Sequence, residues 1–200
     1  MRDLFETSEA SRIDLPDADL LLWPAFASEA EADAWRGALL EEVAWAEERL
    51  TMFGREVLSP RLVAWYGDAG AEYTYSGVTH RPHAWTGTLW AIRERVERVA
   101  GARFNSVLAN LYRHGRDSMG WHSDDEKELG ERPVIASVSL GAERRFRLRH
   151  RRTKQTHGMD LPHGSLLVMA GETQRCWQHA LPKTRRDVGV RVNLTFRMVA

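Results

Sequence analysis

The stretch Trp85–Arg113, WTGTLWAIRERVERVAGARFNSVLANLYR, changes its hydrophobic period half-way along. Up to Ala100 the apolar residues Trp85, Leu89, Ile92, Val96 and Val99 recur at helical spacing, which predicts a helix over roughly 86–100 with Gly101 as its stop. Beyond Gly101 the pattern alternates. Short β-like runs then follow between turns at 104–113, 133–140, 144–150, 164–170, 175–180 and 189–198. Upstream, Ser28 with Glu31 three residues on is a capping-box pattern, and Trp35, Leu39 and Val43 predict an amphipathic helix over roughly 29–48. Helices first and strands afterwards, without a βαβ rhythm, argue against a doubly wound nucleotide fold. They fit an α+β chain with a mainly β core, a sandwich or barrel carrying its helices on the outside.

The 200 residues, 43% hydrophobic and 28% charged, suffice for one well-filled core, and no repeat or low-complexity segment interrupts them. Residues 1–20 read as an acidic, loose lead-in and 21–200 as one domain. No apolar run approaches the roughly 20 residues that cross a bilayer, and the start lacks the basic and apolar blocks of a signal peptide. The single cysteine, Cys176, rules out an internal disulfide and a Cys-rich zinc site. A cytoplasmic monomer without membrane contact is expected. The net charge of zero hides an asymmetry: residues 1–50 hold 4 Lys/Arg against 13 Asp/Glu, so residues 51–200 hold 24 against 15. Within Arg144–Lys154, RRFRLRHRRTK, alternation sends Phe146 and Leu148 inward and Arg145, Arg147 and Arg149 to one exposed face. Such a stripe is either a solvated sheet face or a surface for phosphates.

His122-Ser123-Asp124 places two metal-competent side chains on one side of an extended segment, and His179, in CWQHAL, can supply a third ligand. Two His and one carboxylate leave three positions open, which suits non-haem Fe(II); a zinc hydrolase would usually fill three and keep one for water. In Val190–Met198, VRVNLTFRM, alternation puts Arg191, Asn193, Thr195 and Arg197 on one face and the apolar residues on the other. Two arginines on one face either border water at a sheet edge or bracket a short dicarboxylate through their planar forks.

The set Asn110-x-Tyr112, His122-x-Asp124, His179 and Arg191-x-Asn193-x-Thr195-x-Arg197 resembles, in order and spacing, the AlkB family of Fe(II)- and 2-oxoglutarate-dependent dioxygenases. The resemblance runs from about Met52 to Arg197 and is closest to the branch with the animal homologue that acts on duplex DNA. It implies a double-stranded β-helix, or jelly-roll, over 104–200, with outer helices and an N-terminal nucleotide-recognition lid in 21–103. It further implies that His122, Asp124 and His179 hold Fe(II) and that Arg191 pairs with the distal carboxylate of 2-oxoglutarate. Arg197, which joins the iron ligands in the catalytic set, and Asn110, Tyr112, Asn193 and Thr195 would complete the co-substrate pocket. The implied reaction is oxidative demethylation of N-alkylated DNA bases such as 1-methyladenine and 3-methylcytosine, consuming O2 and 2-oxoglutarate and releasing formaldehyde, succinate and CO2. The same chemistry on RNA or protein is the alternative. A non-catalytic nucleic-acid-binding β-barrel is a remote one, since it leaves the iron triad and the arginines of the last strand unexplained.

Three blocks carry the substrate side. Tyr73, Tyr75 and Ser76, in YTYSG, resemble the lid, and Tyr75 with the His122 ring is placed to sandwich a flipped base; a hairpin with packing tyrosines is the plainer reading. Asp125 and Glu126 suit a cationic methylated base or ordinary ion pairs with Lys127 or an arginine. Met52, Phe53 and Gly54, ahead of Arg61, read as a hairpin tip with Phe53 as a wedge into the base stack, or as buried core. DNA, duplex or single-stranded, and secondarily RNA, are the expected partners. The segment Thr153–Pro162, TKQTHGMDLP, reads as a loop. His150, His157 and His163 around it are taken as surface or structural residues, and Cys176 as a buried small residue near the iron.

Overall fold

The computed structural model describes residues 9–52, 55–71, 73–75 and 78–200. Strands β1 (Ser11–Arg12) and β2 (Asp19–Trp23) precede helix α1 (Glu29–Glu42). The helix starts as predicted: the Ser28 hydroxyl accepts the Glu31 N–H at 3.3 Å, and the Glu31 carboxylate accepts the Ser28 N–H at 3.1 Å. It ends at Glu42 rather than 48. A further turn would have brought Glu47 onto the apolar stripe of Trp35, Leu39 and Val43, and Val43 instead turns to extended backbone at ψ 131°. The residues expected as its last turn open strand β3 (Ala46–Met52), which pairs antiparallel with β4 (Arg55–Gly67) as far as Met52 opposite Arg55. The short hairpin β5 (Tyr73–Tyr75) and β6 (Val78–His80) follows, then helix α2 (Gly87–Ala100). Thr86 caps α2, its hydroxyl accepting the Leu89 N–H at 3.2 Å, and Gly101 closes it at φ +62°.

The rest is β7 (Ser106–Tyr112), β8 (Met119–His122), β9 (Ile135–Gly141), β10 (Arg144–His150), β11 (Thr156–Leu161), β12 (Ser165–Ala170), β13 (Trp177–Leu181) and β14 (Arg191–Arg197). The run expected at 175–180 begins instead with a helical turn, α3 (Thr173–Cys176), which delays the strand to Trp177. Thr153–Pro162 is not a loop throughout. Its residues 156–161 form β11, fully paired with β10, in which Met159 and Leu161 are buried. Within the lead-in, Ser11–Arg12 and the start of β2 are strand: β1 and β2 add to the sheet, with Leu20 wholly buried between the layers.

Eight strands form the larger sheet in the order β1-β2-β12-β9-β14-β7-β4-β3, so three of them begin before residue 50 and a fourth ends at Gly67. The core sheet therefore starts well before residue 104. A smaller sheet, β11-β10-β13-β8, faces it, which is the two-sheet jelly-roll expected. The larger sheet buries one face against α1 and α2 through Leu39, Leu89, Ile92, Val96, Val192, Leu194 and Phe196. Its other face meets the smaller sheet through Leu20, Ile135, Leu148, Leu167 and Trp177. The last strand, β14, lies between β9 and β7, so it is not a sheet edge, and its residues Arg191–Phe196 are buried. With its apolar residues turned to the helices, Arg191, Asn193, Thr195 and Arg197 face the space between the sheets.

Candidate active site

At one end of the inter-sheet space, polar side chains from both sheets surround a narrow cavity. His122 ends β8, Asp124 follows it, and His179 sits opposite His122 on β13. Their ligating atoms lie within 4.8 Å of one another, the two rings are 4.2 Å apart, and His179 Nε2 is 3.6 Å from Asp124 Oδ2. His122 Nδ1 donates to the Gly120 carbonyl at 2.9 Å, which leaves Nε2 as the nitrogen with a free lone pair. Burial pushes the His122 imidazole below its usual pKa, and burial together with the neighbouring His122 takes His179 down to about 3. Both rings are thus neutral ligands at neutral pH. Burial opposes ionisation of Asp124, but the charge and hydrogen bond of Arg197 outweigh it and hold the carboxyl below its usual range. Two neutral imidazoles and one carboxylate form a donor set that fits Fe(II).

Four contacts from elsewhere in the chain hold this segment. Gln174, wholly buried on α3, accepts the Asp124 N–H at 3.0 Å, and the Ser123 hydroxyl donates to the Trp177 carbonyl at 2.9 Å. Arg151 donates to the Ser123 hydroxyl at 2.8 Å, and Arg197 pairs with Asp124 Oδ1. Phe146 stacks on His179 at 5.3 Å.

The arginine face of β14 lines the same cavity as the three ligands. Arg191 is 2% exposed and donates to the Ser139 hydroxyl at 2.9 Å, while its Nε has no partner. Among the described residues no carboxylate pairs with it. Burial without a counter-charge, with Arg144 nearby, pushes the Arg191 pKa down to about 10. A desolvated guanidinium of this kind fits a ligand carboxylate. Asn193 donates to the Ser137 hydroxyl at 2.8 Å, Thr195 donates to Asn193 Oδ1 at 3.2 Å, and Tyr112 lies under the Arg191 guanidinium at 5.2 Å. Asn110 also lines the cavity, and its Oδ1 accepts Arg61 Nε at 2.7 Å. Every residue expected around 2-oxoglutarate is therefore at the cavity, and the residues present fit a dicarboxylate.

A wider cleft opens beside it and shares Leu108 and Arg197 as common wall. Glu48, Glu126, Glu128, Trp65 and His83 line it. The substrate residues expected from the sequence divide here. Glu126 borders the cleft, whereas Asp125 is engaged by Arg151. Arg61 is buried at 5% exposure and turned toward Asn110. Met52, Tyr73 and Tyr75 stand in strands, but their side chains, like Phe53, Gly54 and Ser76 altogether, lie outside the described residues. Glu48, Glu128 and Gln174 escaped the sequence reading, because each reaches the site across a sheet or loop that no local pattern announces.

A second cluster, Asp17, His150 and Cys176, also has metal-competent atoms within 4.8 Å. His150 Nδ1 accepts the Arg152 and Thr153 N–H groups at 3.2 and 3.1 Å, so Nε2 carries the ring proton and points at Asp17 Oδ2, 3.3 Å away. This histidine is structural, as expected. Cys176 is partly exposed rather than buried. The arginine stripe follows its alternation: Phe146 and Leu148 are buried, Arg145 and Arg147 exposed, and Arg149 lies over the Trp121 ring at 4.4 Å.

A double-stranded β-helix with two histidines and an aspartate facing paired arginines defines a class, and the family model of the 2OG-Fe(II) oxygenase superfamily matches residues 19–197. The chain belongs to that superfamily and, within it, to the AlkB family. It is 43% identical over 188 residues to alpha-ketoglutarate-dependent dioxygenase alkB homolog 3 of Rattus norvegicus, covering 89% of this chain and 63% of the relative. It is 44% identical over 181 residues to DNA oxidative demethylase ALKBH2 of Mus musculus, covering 85% of this chain and 76% of the relative. The chain thus spans less than two thirds of the rat relative's length. The solved structure of OsALKBH1 superposes with a TM-score of 0.65 at 16% identity, over 95% of this chain and all of that one, and bears on the fold.

Proposed function

We propose that this protein is an Fe(II)- and 2-oxoglutarate-dependent dioxygenase that removes alkyl groups oxidatively from N-alkylated bases in DNA, 1-methyladenine and 3-methylcytosine among them. The observation that carries the reading is the wall shared by two cavities: the metal ligands and uncompensated Arg191 lie on one side of Leu108 and Arg197, and the carboxylate-lined cleft on the other. Iron and 2-oxoglutarate, when bound, supply the oxidation, in which O2 and 2-oxoglutarate yield succinate and CO2 while the alkyl carbon is hydroxylated.

The chain's own work is placement. His122, Asp124 and His179 hold the metal through groups already in the ligating protonation state. Arg191 takes one carboxylate of the co-substrate. Arg197 keeps Asp124 ionised and in place from the opposite sheet. Glu126 and Glu128 in the cleft favour a base that carries positive charge, as an N-methylated adenine or cytosine does. Leu108, Phe146 and Leu181 exclude water around the reacting centre. The hydroxymethyl product then loses formaldehyde without help. Membership of the AlkB family and the similarity to a relative named as a DNA oxidative demethylase support the substrate class.

The test is mass spectrometry of matched single- and double-stranded oligonucleotides carrying one 3-methylcytosine, incubated with Fe(II), ascorbate and 2-oxoglutarate. Loss of one methylene mass with succinate formation, absent in His122→Ala, is the expected result. Oligonucleotides left unchanged while 2-oxoglutarate is consumed would move the substrate to RNA or protein. The β3–β4 hairpin, paired up to Met52 and Arg55, carries Phe53 between its strands in sequence. As a wedge, Phe53 lowers the cost of extruding a base from duplex, a few kcal/mol. Phe53→Ala is accordingly expected to lose about tenfold or more on duplex and little on single strands; equal losses on both would remove the wedge.

A further inference from the structure

Arg61 lies outside the iron ligands and the arginines of β14, yet it is 5% exposed and makes three polar contacts. Its Nε donates to Asn110 Oδ1 at 2.7 Å, its Nη1 to the Ser59 hydroxyl at 2.7 Å, and its Nη2 lies 3.5 Å from Glu48 Oε2. On the sheet it reaches Asn110 diagonally, since Leu62 pairs with Leu111 and Val63 with Asn110. Asn110 lines the cavity that also holds Arg191 and the three metal ligands.

An asparagine amide is nearly symmetric in shape and opposite in chemistry at its two ends. Turned one way it offers a dicarboxylate two N–H donors; turned the other way it offers a carbonyl oxygen, which repels it. A guanidinium only donates, so Arg61 accepts one orientation alone: Oδ1 toward itself. Nδ2 is then the end left for the cavity, with one of its protons reaching the Leu108 carbonyl at a long 3.4 Å and the other without a partner among the described residues. Ser59 and Glu48 fix the guanidinium from its far side, so the orientation does not depend on Asn110 itself.

We propose that Arg61 is a positioning residue for the co-substrate, locking the Asn110 amide so that its NH2 faces the 2-oxoglutarate cavity. This replaces direct contact with the nucleic acid as its role, and it rests on the reading of that cavity as the 2-oxoglutarate site.

The experiment is a double-mutant cycle on 2-oxoglutarate binding, measured by calorimetry on the Mn(II)-loaded protein in the absence of oxygen. Arg61→Met and Asn110→Ala are each expected to weaken binding by about tenfold, the usual effect of losing an outer partner of a ligating group. The double variant is expected to be no weaker than Asn110→Ala alone. Mn(II) affinity and affinity for a methylated oligonucleotide stay within twofold of the parent in Arg61→Met, on the order of the scatter between independent sites. Additive losses, or an unchanged 2-oxoglutarate affinity in Arg61→Met beside a weakened Asn110→Ala, overturn the proposal and leave the cavity reading intact. An Arg61→Met protein that loses oligonucleotide affinity instead returns Arg61 to the substrate. If Asn110→Ala leaves binding untouched, the cavity reading fails and the proposal with it. Should Arg61→Met not fold, the cycle is run with Arg61→Lys, whose single ammonium cannot serve Ser59, Glu48 and Asn110 together. A smaller loss that vanishes in the Asn110→Ala background is then expected, and a loss that persists there overturns the proposal.

Discussion

Asp124 uses its two oxygens differently: Oδ1 pairs with Arg197 and Oδ2 faces His179, while its backbone N–H is fixed by Gln174. Gln174→Leu keeps the volume and removes the acceptor, so metal affinity is expected to fall about tenfold or more, read from a Co(II) titration, with the fold retained. Arg191 presents the opposite balance. A wholly buried cation without a carboxylate partner destabilises the ligand-free protein, which predicts that Arg191→Met raises its thermal midpoint while abolishing 2-oxoglutarate binding. Thermal denaturation and calorimetry on one preparation check both halves; a lower midpoint would show that the Ser139 contact matters more than the charge. His122, Asp124, His179 and the β14 arginines were legible in the sequence because each pattern is contained in one short stretch of chain. Gln174 was not, since it lies 50 positions beyond Asp124 in the chain and meets it only in the folded protein.

At the scale of elements, the turn from β9 into β10 decides where β14 begins. Gly141 holds φ +90°, and a Cβ there would lie 2.3 Å from the Val190 carbonyl oxygen, next to Arg191. Gly101, at φ +62°, has open space around the same position. Gly101→Ala is expected to cost about 1–2 kcal/mol through its backbone alone, and Gly141→Ala more, because Val190 must also move. Only Gly141→Ala should weaken 2-oxoglutarate binding as well, and equal affinities in the two variants would detach the turn from the site. The helix starts were readable, since capping at Ser28 is local chemistry. The end of α1 was not, because its stripe fades gradually and the winning alternative, pairing with β4, is a contact with residues that come later. The early strands were missed for the same reason: β2 finds its partner at β12, almost 150 residues on.

For the molecule as a whole, the loop from β7 to β8 crosses from the larger sheet to the smaller, and Asp117 secures it. This carboxylate is 3% exposed and accepts the Arg113 N–H at 2.9 Å and Nε at 2.8 Å; Arg144 ties the same loop to Pro182 through carbonyl oxygens. Burial opposes the charge on Asp117, but the bonds from Arg113 prevail and its pKa lies below the ordinary value. A lowered folded-state pKa stabilises the protein above the unfolded value, near pH 4, and that contribution is lost as pH falls through the folded one. Asp117→Asn is therefore expected to flatten the acid limb of stability below about pH 4, measured by urea unfolding across that range; an unchanged limb would assign it to other carboxylates. The two-layer architecture was legible from the change of period at Gly101, whereas the sheet order, with its crossovers, was not.

The candidate metal ligands and the arginines of β14 belong to opposite sheets, joined across the cavity by Arg197 on Asp124. The site is in effect a clasp with one jaw in each layer. Iron, when bound, would be held by the first jaw through His122, Asp124 and His179, and 2-oxoglutarate by the second through Arg191, so that the two together would link the layers. Loading is therefore expected to stiffen the protein as well as arm it, with slowed hydrogen exchange of β13 and β14 arriving together once both components are in place.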